Sequence, residues 1–264
     1  MNTMDFVKME GAGNDFIVTA DLELPEDPGW IAAVCDRRRG IGADGLIVLA
    51  RTGENRFRMR YYNSDGSRAG MCGNGLRCCM EYAARLGISE DHALFDTDSG
   101  ELEAWRTALE LIRIRMPAPK PFRKIQIGDF ECFVTSTGVP HAVIQVRNGE
   151  LDQADLIGIG REIRFSKELA PEGANVDLIE FEEQDVLRIR TYERGVEDET
   201  LACGTGMAAA AAYAFLFRGS GAEVKLKTAG GDVLSVKLDG DMHGLKGIFL
   251  SGPAKCVFSG TYRY

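Results

Sequence analysis

Long apolar runs are missing from this chain: nowhere do eighteen apolar residues follow one another, so no segment reads as a membrane-spanning helix. The opening stretch, "MNTMDFVKMEGAGNDF", lacks the apolar core of a secretory signal, which points to a cytoplasmic protein. Positive charge is in short supply, with 31 Lys and Arg against 40 Asp and Glu and a net charge of −9. That balance argues against a nucleic-acid surface and against an anionic membrane surface. It leaves room for a small anionic substrate held at a locally positive site. Histidine is scarce too: His92, His141 and His243 are scattered, no C-x2-C knuckle is present, and no structural zinc is expected. The seven cysteines are an odd number, which speaks against a disulfide framework. Cys35, Cys78, Cys79, Cys132 and Cys256 read as small core residues.

What is there is a phrase written twice. "MCGNGLRCCMEYA" is followed, 131 residues later, by "LACGTGMAAAAAYA". The flanks repeat as well. "FVKMEGAGNDFIV" matches "FVTSTGVPHAVIQ" at an offset of 127, "GADGLIV" matches "GANVDLI" at 131, and "RYYN" matches "RTYE" at 130. A period this long implies a duplicated domain, not a solenoid.

Within each half, segments such as "LIVLA", "RFRMRYY", "LELIRIRM", "VLRIRTY" and "VLSVKL" are short and rich in β-branched or aromatic residues, as strands are. Helical spacing is strongest after each Cys-Gly-x-Gly, where Leu76, Cys79, Met80 and Ala83 share a face, as do Met207, Ala210, Ala211 and Ala214. The expected fold is α/β (α+β): two pseudo-symmetric domains, each a curved, mostly antiparallel sheet or barrel around a central helix. The proline-rich "RMPAPKPFRK" suggests a boundary near residue 117. The halves are then 1–117 and 118–250, with a tail from about 251 to 264 free to return to the first.

A cysteine at a helix mouth meets unpaired N–H groups and the positive end of the helix dipole, which favours its thiolate and lowers its pKa. The glycines let a carboxylate approach the exposed amides. Two such thiols on opposite faces of one carbon can remove a proton and return it with inversion. A dithiol redox protein is the alternative from another class, although no C-x-x-C is present.

Taken together, "GAGNDFIV", "RRRGIGADGLIVL", "YYNSDGSRAGMCGNGLRC", "PHAVI", "GANVDLIE" and "YERGVEDETLACGTG" resemble the diaminopimelate epimerase family over essentially the whole chain. The resemblance implies an epimerase that interconverts LL- and meso-2,6-diaminoheptanedioate without a cofactor, in lysine and peptidoglycan-precursor synthesis. It further implies a cytoplasmic homodimer, with the active site in the cleft between the halves. By the same resemblance Cys72 and Cys203 are the catalytic thiols. Asn14, Asn63, Gly73, Asn74, Asn175, Glu193, Arg194, Gly204 and Thr205 bind substrate, and His141 with Glu193 influences the thiol pKa values. Without the family, Asn63 in "NSDGS" reads as a turn residue. Val139 and Gly45 stand where some members carry asparagine and glutamine, and "ERGVEDETLACG" is one residue longer than the commoner form. A proline racemase or hydroxyproline epimerase is the neighbouring alternative, but its usual Cys-Gly-His-Gly is here Cys-Gly-Asn-Gly, with Asn74 in the histidine's place.

Overall fold

The structure, a computed structural model, describes residues 2–20, 22–70, 72–89 and 91–264. The chain divides into two compact units, Met1–Ile114 with Gly252–Tyr264, and Arg115–Ser251. The first unit runs β1 (Thr3–Gly11), β2 (Asn14–Thr19), α1 (Pro28–Cys35), β3 (Gly45–Gly53), β4 (Arg56–Asn63), β5 (Arg68–Ala69), α2 (Gly73–Arg85), β6 (His92–Thr97), β7 (Gly100–Ala108) and into β8 (Leu111–Met116). The second opens with β9 (Arg123–Ile127) and repeats the order: β10 (Phe130–Ser136), β11 (Pro140–Gln145), α3 (Leu156–Arg164), β12 (Asn175–Glu183), β13 (Val186–Glu193), β14 (Asp198–Thr200), α4 (Gly204–Arg218), β15 (Glu223–Lys227), β16 (Val233–Asp241) and β17 (Gly244–Pro253). A last strand, β18 (Lys255–Arg263), pairs antiparallel with β1, as β9 does with β10.

The pairings repeat as the elements do. β1–β2 and β10–β11 are antiparallel, β2–β3 and β11–β12 parallel, β3–β4 and β12–β13 antiparallel. The fourth strand of each series then pairs parallel with the strand after its helix, β4 with β6 and β13 with β15. The expected duplicated α/β fold is the observed one. The strands form because their apolar residues alternate: in "LIRIRM" Ile112, Ile114 and Met116 are buried, and in "VLRIRTY" Leu187 and Ile189 are.

Helix α2 packs on β1, β2, β3, β6 and β7, so the sheet curls around it. Helix α4 is enclosed likewise by β10 to β13, β15 and β16. Burial is not confined to one stripe of either helix. Every residue from Asn74 to Ala83 and from Gly206 to Ala214 is buried, which for α4 suits the alanine run. In α2 the same burial takes in Arg77 and Glu81. Arg77 Nε donates to Pro253 O at 3.1 Å, and Glu81 accepts from Arg106 Nε at 2.8 Å. Paired in this way, buried charges are tolerated. Among the described residues no helix is long and apolar enough to cross a membrane.

One detail departs from the sequence match. Phe16 is level with Gly45, and Ala142 with Val176, so His141 takes the backbone place of Asp15 and not of Asn14. The turns differ in length: β1 and β2 are joined by Ala12-Gly13, both at positive φ (57° and 83°), whereas three residues, Thr137 to Val139, join β10 and β11.

Candidate active site

Both repeated cysteines are helix N-caps with extended backbone, Cys72 (φ −141°, ψ 119°) on α2 and Cys203 (φ −118°, ψ 108°) on α4. The first-turn amides turn toward sulfur. Gly75 N–H donates to Cys72 Sγ at 3.5 Å; Cys203 makes no such capping bond, and the Gly206 N–H only favours its thiolate.

At the first mouth Cys72 Sγ lies 3.7 Å from Asn14 Oδ1, which also accepts from Asn74 Nδ2 at 3.4 Å. The other end of the Asn14 amide donates to Asp44 Oδ2 at 2.5 Å. Asp44 belongs to an ionic cluster: Arg37 holds both Asp15 oxygens at 2.9 and 2.7 Å and Asp44 at 2.7 Å, while the buried Lys8 sits 2.8 Å from Asp15. Burial alone would raise the Asp15 pKa. The bonds from Arg37, Lys8 and the Asp44 N–H outweigh it and hold the carboxyl well below the usual range. Asn14 is thereby anchored with its carbonyl toward the thiol. Asn63 is placed differently, its Nδ2 donating to Ser67 Oγ at 3.0 Å within the turn that follows β4.

At the second mouth the polar groups form a chain. Cys203 Sγ is 3.4 Å from Thr205 Oγ1, Thr205 Oγ1 is 2.8 Å from His141 Nε2, and His141 Nδ1 is 2.7 Å from Asp177 Oδ2. Thr191 Oγ1 donates to the other Asp177 oxygen at 2.8 Å. Asn175 accepts the Arg194 N–H through Oδ1 at 2.7 Å and turns its Nδ2 to His141 Nε2 at 3.3 Å. His141 and Asp177 are fully buried. The Arg194 guanidinium reaches Glu172 O at 3.3 Å. At Glu193 burial raises the carboxyl pKa and Asp177 adds to this, against a bond with Thr200 and the pull of His141.

The lowered thiol pKa expected of a helix mouth does not hold at Cys203. Burial, then the Glu193 and Asp177 carboxylates, raise it, and the Thr205 hydroxyl and Gly206 N–H only partly oppose them. Four other thiols are held protonated by burial. Cys35 and Cys132 are pushed up to about 11 and Cys78 and Cys79 well upward, all by desolvation first. Cys256, expected in the core, is only partly buried on β18.

Asp44, Asp177 and Thr191 stand at the two helix mouths and are not among the residues expected from sequence. One signal was available: the repeat sets Asp177 against Leu46, a charge facing an apolar residue in two otherwise matching buried strands.

Residues 6–113 and 133–257 match the model of the family described as diaminopimelate epimerase. The chain belongs to the diaminopimelate epimerase family. It is therefore an isomerase. A diaminopimelate epimerase from Chlorobaculum tepidum is 44% identical over 96% of this chain and 99% of its own. Among solved structures, a phenazine biosynthesis protein of the PhzF family from Bacillus anthracis has a TM-score of 0.73 at 17% identity, covering 100% of both chains. A hydroxyproline epimerase from Agrobacterium vitis has a TM-score of 0.63 at 13% identity, over 99% of this chain and 91% of its own. These two share the fold. Against the family background the departure at Gly45 has a local cause. A side chain at Gly45 would lie 2.4 Å from Tyr62 O and 2.6 Å from the Tyr61 ring, and Val139 closes the turn whose Thr137 N–H donates to Val139 O at 3.3 Å. The added residue after Glu193 falls in a turn where Glu197 sits at φ 59° and accepts from Tyr192 Oη at 3.0 Å and from Gly195 N–H at 3.0 Å.

Proposed function

We propose that the chain interconverts LL- and meso-2,6-diaminoheptanedioate, with Cys72 and Cys203 as the two acid/base groups. The observation that supports this most is the matched placement of the two thiols. Each caps a buried helix and touches a neutral polar side chain, Asn14 in one unit and Thr205 in the other. One thiolate removes the α-proton from one face of the substrate, while the other thiol delivers a proton to the opposite face, and the stereocentre inverts. The reverse reaction exchanges the roles. The α-carbon is a weak acid, so the negative charge that develops toward its carboxylate needs donors already in place. The first-turn N–H groups at the two helix mouths are such donors.

Asn14, Asn74 and Asn175 supply amide contacts around these positions, with Asn63, Glu193 and Arg194 toward the rest of the substrate, on the strength of the family resemblance. The same resemblance supports a cytoplasmic homodimer, to be checked by light scattering on the purified chain. The activity test is incubation of the reduced protein with LL-diaminopimelate in D2O. Deuterium enters the α-carbon and meso product appears without added cofactor, and both are lost in Cys72→Ala and Cys203→Ala. Turnover by either variant would refute the two-thiol mechanism, and turnover of proline in place of diaminopimelate would move the chain to the racemase branch.

A further inference from the structure

The two helix mouths are duplicated in backbone but not in chemistry. Behind Cys72 stands an asparagine amide, which cannot take up a proton. Behind Cys203 stands a threonine hydroxyl and, beyond it, an imidazole. The direction of every hydrogen bond in that second chain is settled by its ends. The Asp177 carboxylate only accepts, so His141 carries its proton on Nδ1. Asn175 has its oxygen committed to the Arg194 N–H, so its nitrogen donates toward His141 Nε2, which is therefore a bare acceptor. Thr205 then donates its hydroxyl proton to Nε2 and accepts from the Cys203 S–H. Both ends of the imidazole report the same tautomer.

We propose that the Thr205 hydroxyl is a two-position switch that sets Cys203 as thiol or thiolate, and that Asp177 is the residue that positions His141 to drive it. In the first position the chain runs S–H to Oγ1 and O–H to Nε2. In the second, the hydroxyl proton has passed to His141 Nε2 and the thiol proton to Thr205 Oγ1. One S–H and one O–H bond break, and one O–H and one N–H bond form, so the net change is one proton moved from sulfur to imidazole. The hydroxyl now donates to the thiolate, and the imidazolium lies against the Asp177 carboxylate. Cys203 can thus exchange its proton within its own unit, with no substrate bound. The titratable groups facing His141 are Asp177 on β12, Glu193 on β13 and Cys203 at the cap of α4. The two carboxylates disfavour an isolated thiolate, and in the second position the Thr205 hydroxyl donates to it. The inference rests on Cys203 being a reacting thiol, the reading given above.

The test reads the thiol and the imidazole directly, so that it does not depend on turnover. The pH dependence of Cys203 alkylation by iodoacetamide is followed by peptide mass spectrometry in the full chain. In Thr205→Val, which keeps the shape and loses the hydroxyl, the midpoint moves up by about one pH unit, the size of one hydrogen bond to a charged group. Thr205→Ser restores it. An unchanged midpoint in Thr205→Val, or a Thr205→Ser variant as impaired as Thr205→Val, overturns the switch. Nitrogen chemical shifts of His141 test Asp177: the native chain shows the Nδ1–H tautomer, and Asp177→Asn, whose amide donates to Nδ1, shows Nε2–H. A tautomer indifferent to Asp177→Asn removes its positioning role. Turnover by Cys203→Ala would instead sink the two-thiol reading while leaving the alkylation profile to judge the switch.

Discussion

Replacing Gly206 by alanine places a methyl group against the buried end of the Cys203 chain. Its Cβ would lie 2.4 Å from Asp177 Oδ1, 3.2 Å from Asp177 Cγ and 3.3 Å from His141 Cε1. Asp177 has no room to yield freely, because it is fully buried and tied to Thr191 at 2.8 Å and to His141 at 2.7 Å. Restoring ordinary contact takes a retreat of roughly 1 Å, enough to carry such bonds past useful hydrogen-bond length. Each buried bond lost costs about 1–3 kcal/mol, and alanine returns up to about 1 kcal/mol through helix propensity. With both bonds lost, the net destabilisation is about 1–5 kcal/mol, a melting point lower by about 2–20 °C for a chain of this size. Gly75→Ala is the internal control. The corresponding methyl in α2 meets Ile47 Cδ1 at 2.8 Å and Met59 Cε at 3.3 Å, the mobile ends of apolar side chains, so its cost stays near zero to about 1 kcal/mol. Thermal unfolding followed by circular dichroism compares the two. Equal melting points for Gly206→Ala and Gly75→Ala would refute the claim that a rigid polar contact, and not helix geometry, demands glycine at this site.

Glu193→Gln lowers the pH of Cys203 alkylation, because the Glu193 carboxylate is among the groups that raise the thiol. The Glu193 pKa is itself raised on folding, so the stability it contributes is present below the unfolded value of about 4.3 and is lost as pH rises through the folded value. Glu193→Gln therefore raises the urea midpoint at pH 7, and the gap to the native chain closes near pH 4. Asp15 has the opposite sign: its depressed pKa contributes stability above about 3.9, lost progressively in stronger acid. Asp15→Asn accordingly lowers the urea midpoint at pH 7, with a difference that shrinks as pH falls below 4. Removing residues 255–264 strips β18 from β1 and deletes the Phe258 contact with Phe6 and the Tyr264 contact with Trp30, so amide exchange in β1 rises sharply.

Much of the fold could be read from local pattern. Alternation in "LIRIRM" and "VLRIRTY" marks strands, the small-residue helices follow their cysteines, and the recurrence of Cys-Gly-x-Gly announces two like halves. These signals survive in sequence because they span only a few neighbouring residues. The site was legible in part. Cys72 and Cys203 each cap a helix as the helix-mouth reasoning expects, with Asn14 and Asn74 beside Cys72, and with Thr205, His141 and Asn175 beside Cys203.

The sequence by itself determined the duplication, the two capping thiols and the polar residue types beside them. Only the tertiary structure decided which partner each of those residues faces. Asn14 meets Asp44 across 30 residues, His141 meets Asp177 across 36, and Thr205 meets His141 across 64. Such contacts depend on strand register, which sets His141 level with Asn175 and so in the place of Asp15 and not of Asn14. The charge state of Cys203 is likewise tertiary. A helix mouth favours thiolate, but burial and two carboxylates from neighbouring strands act on the same sulfur and win, because desolvation grows with enclosure while the helix end offers only partial charge.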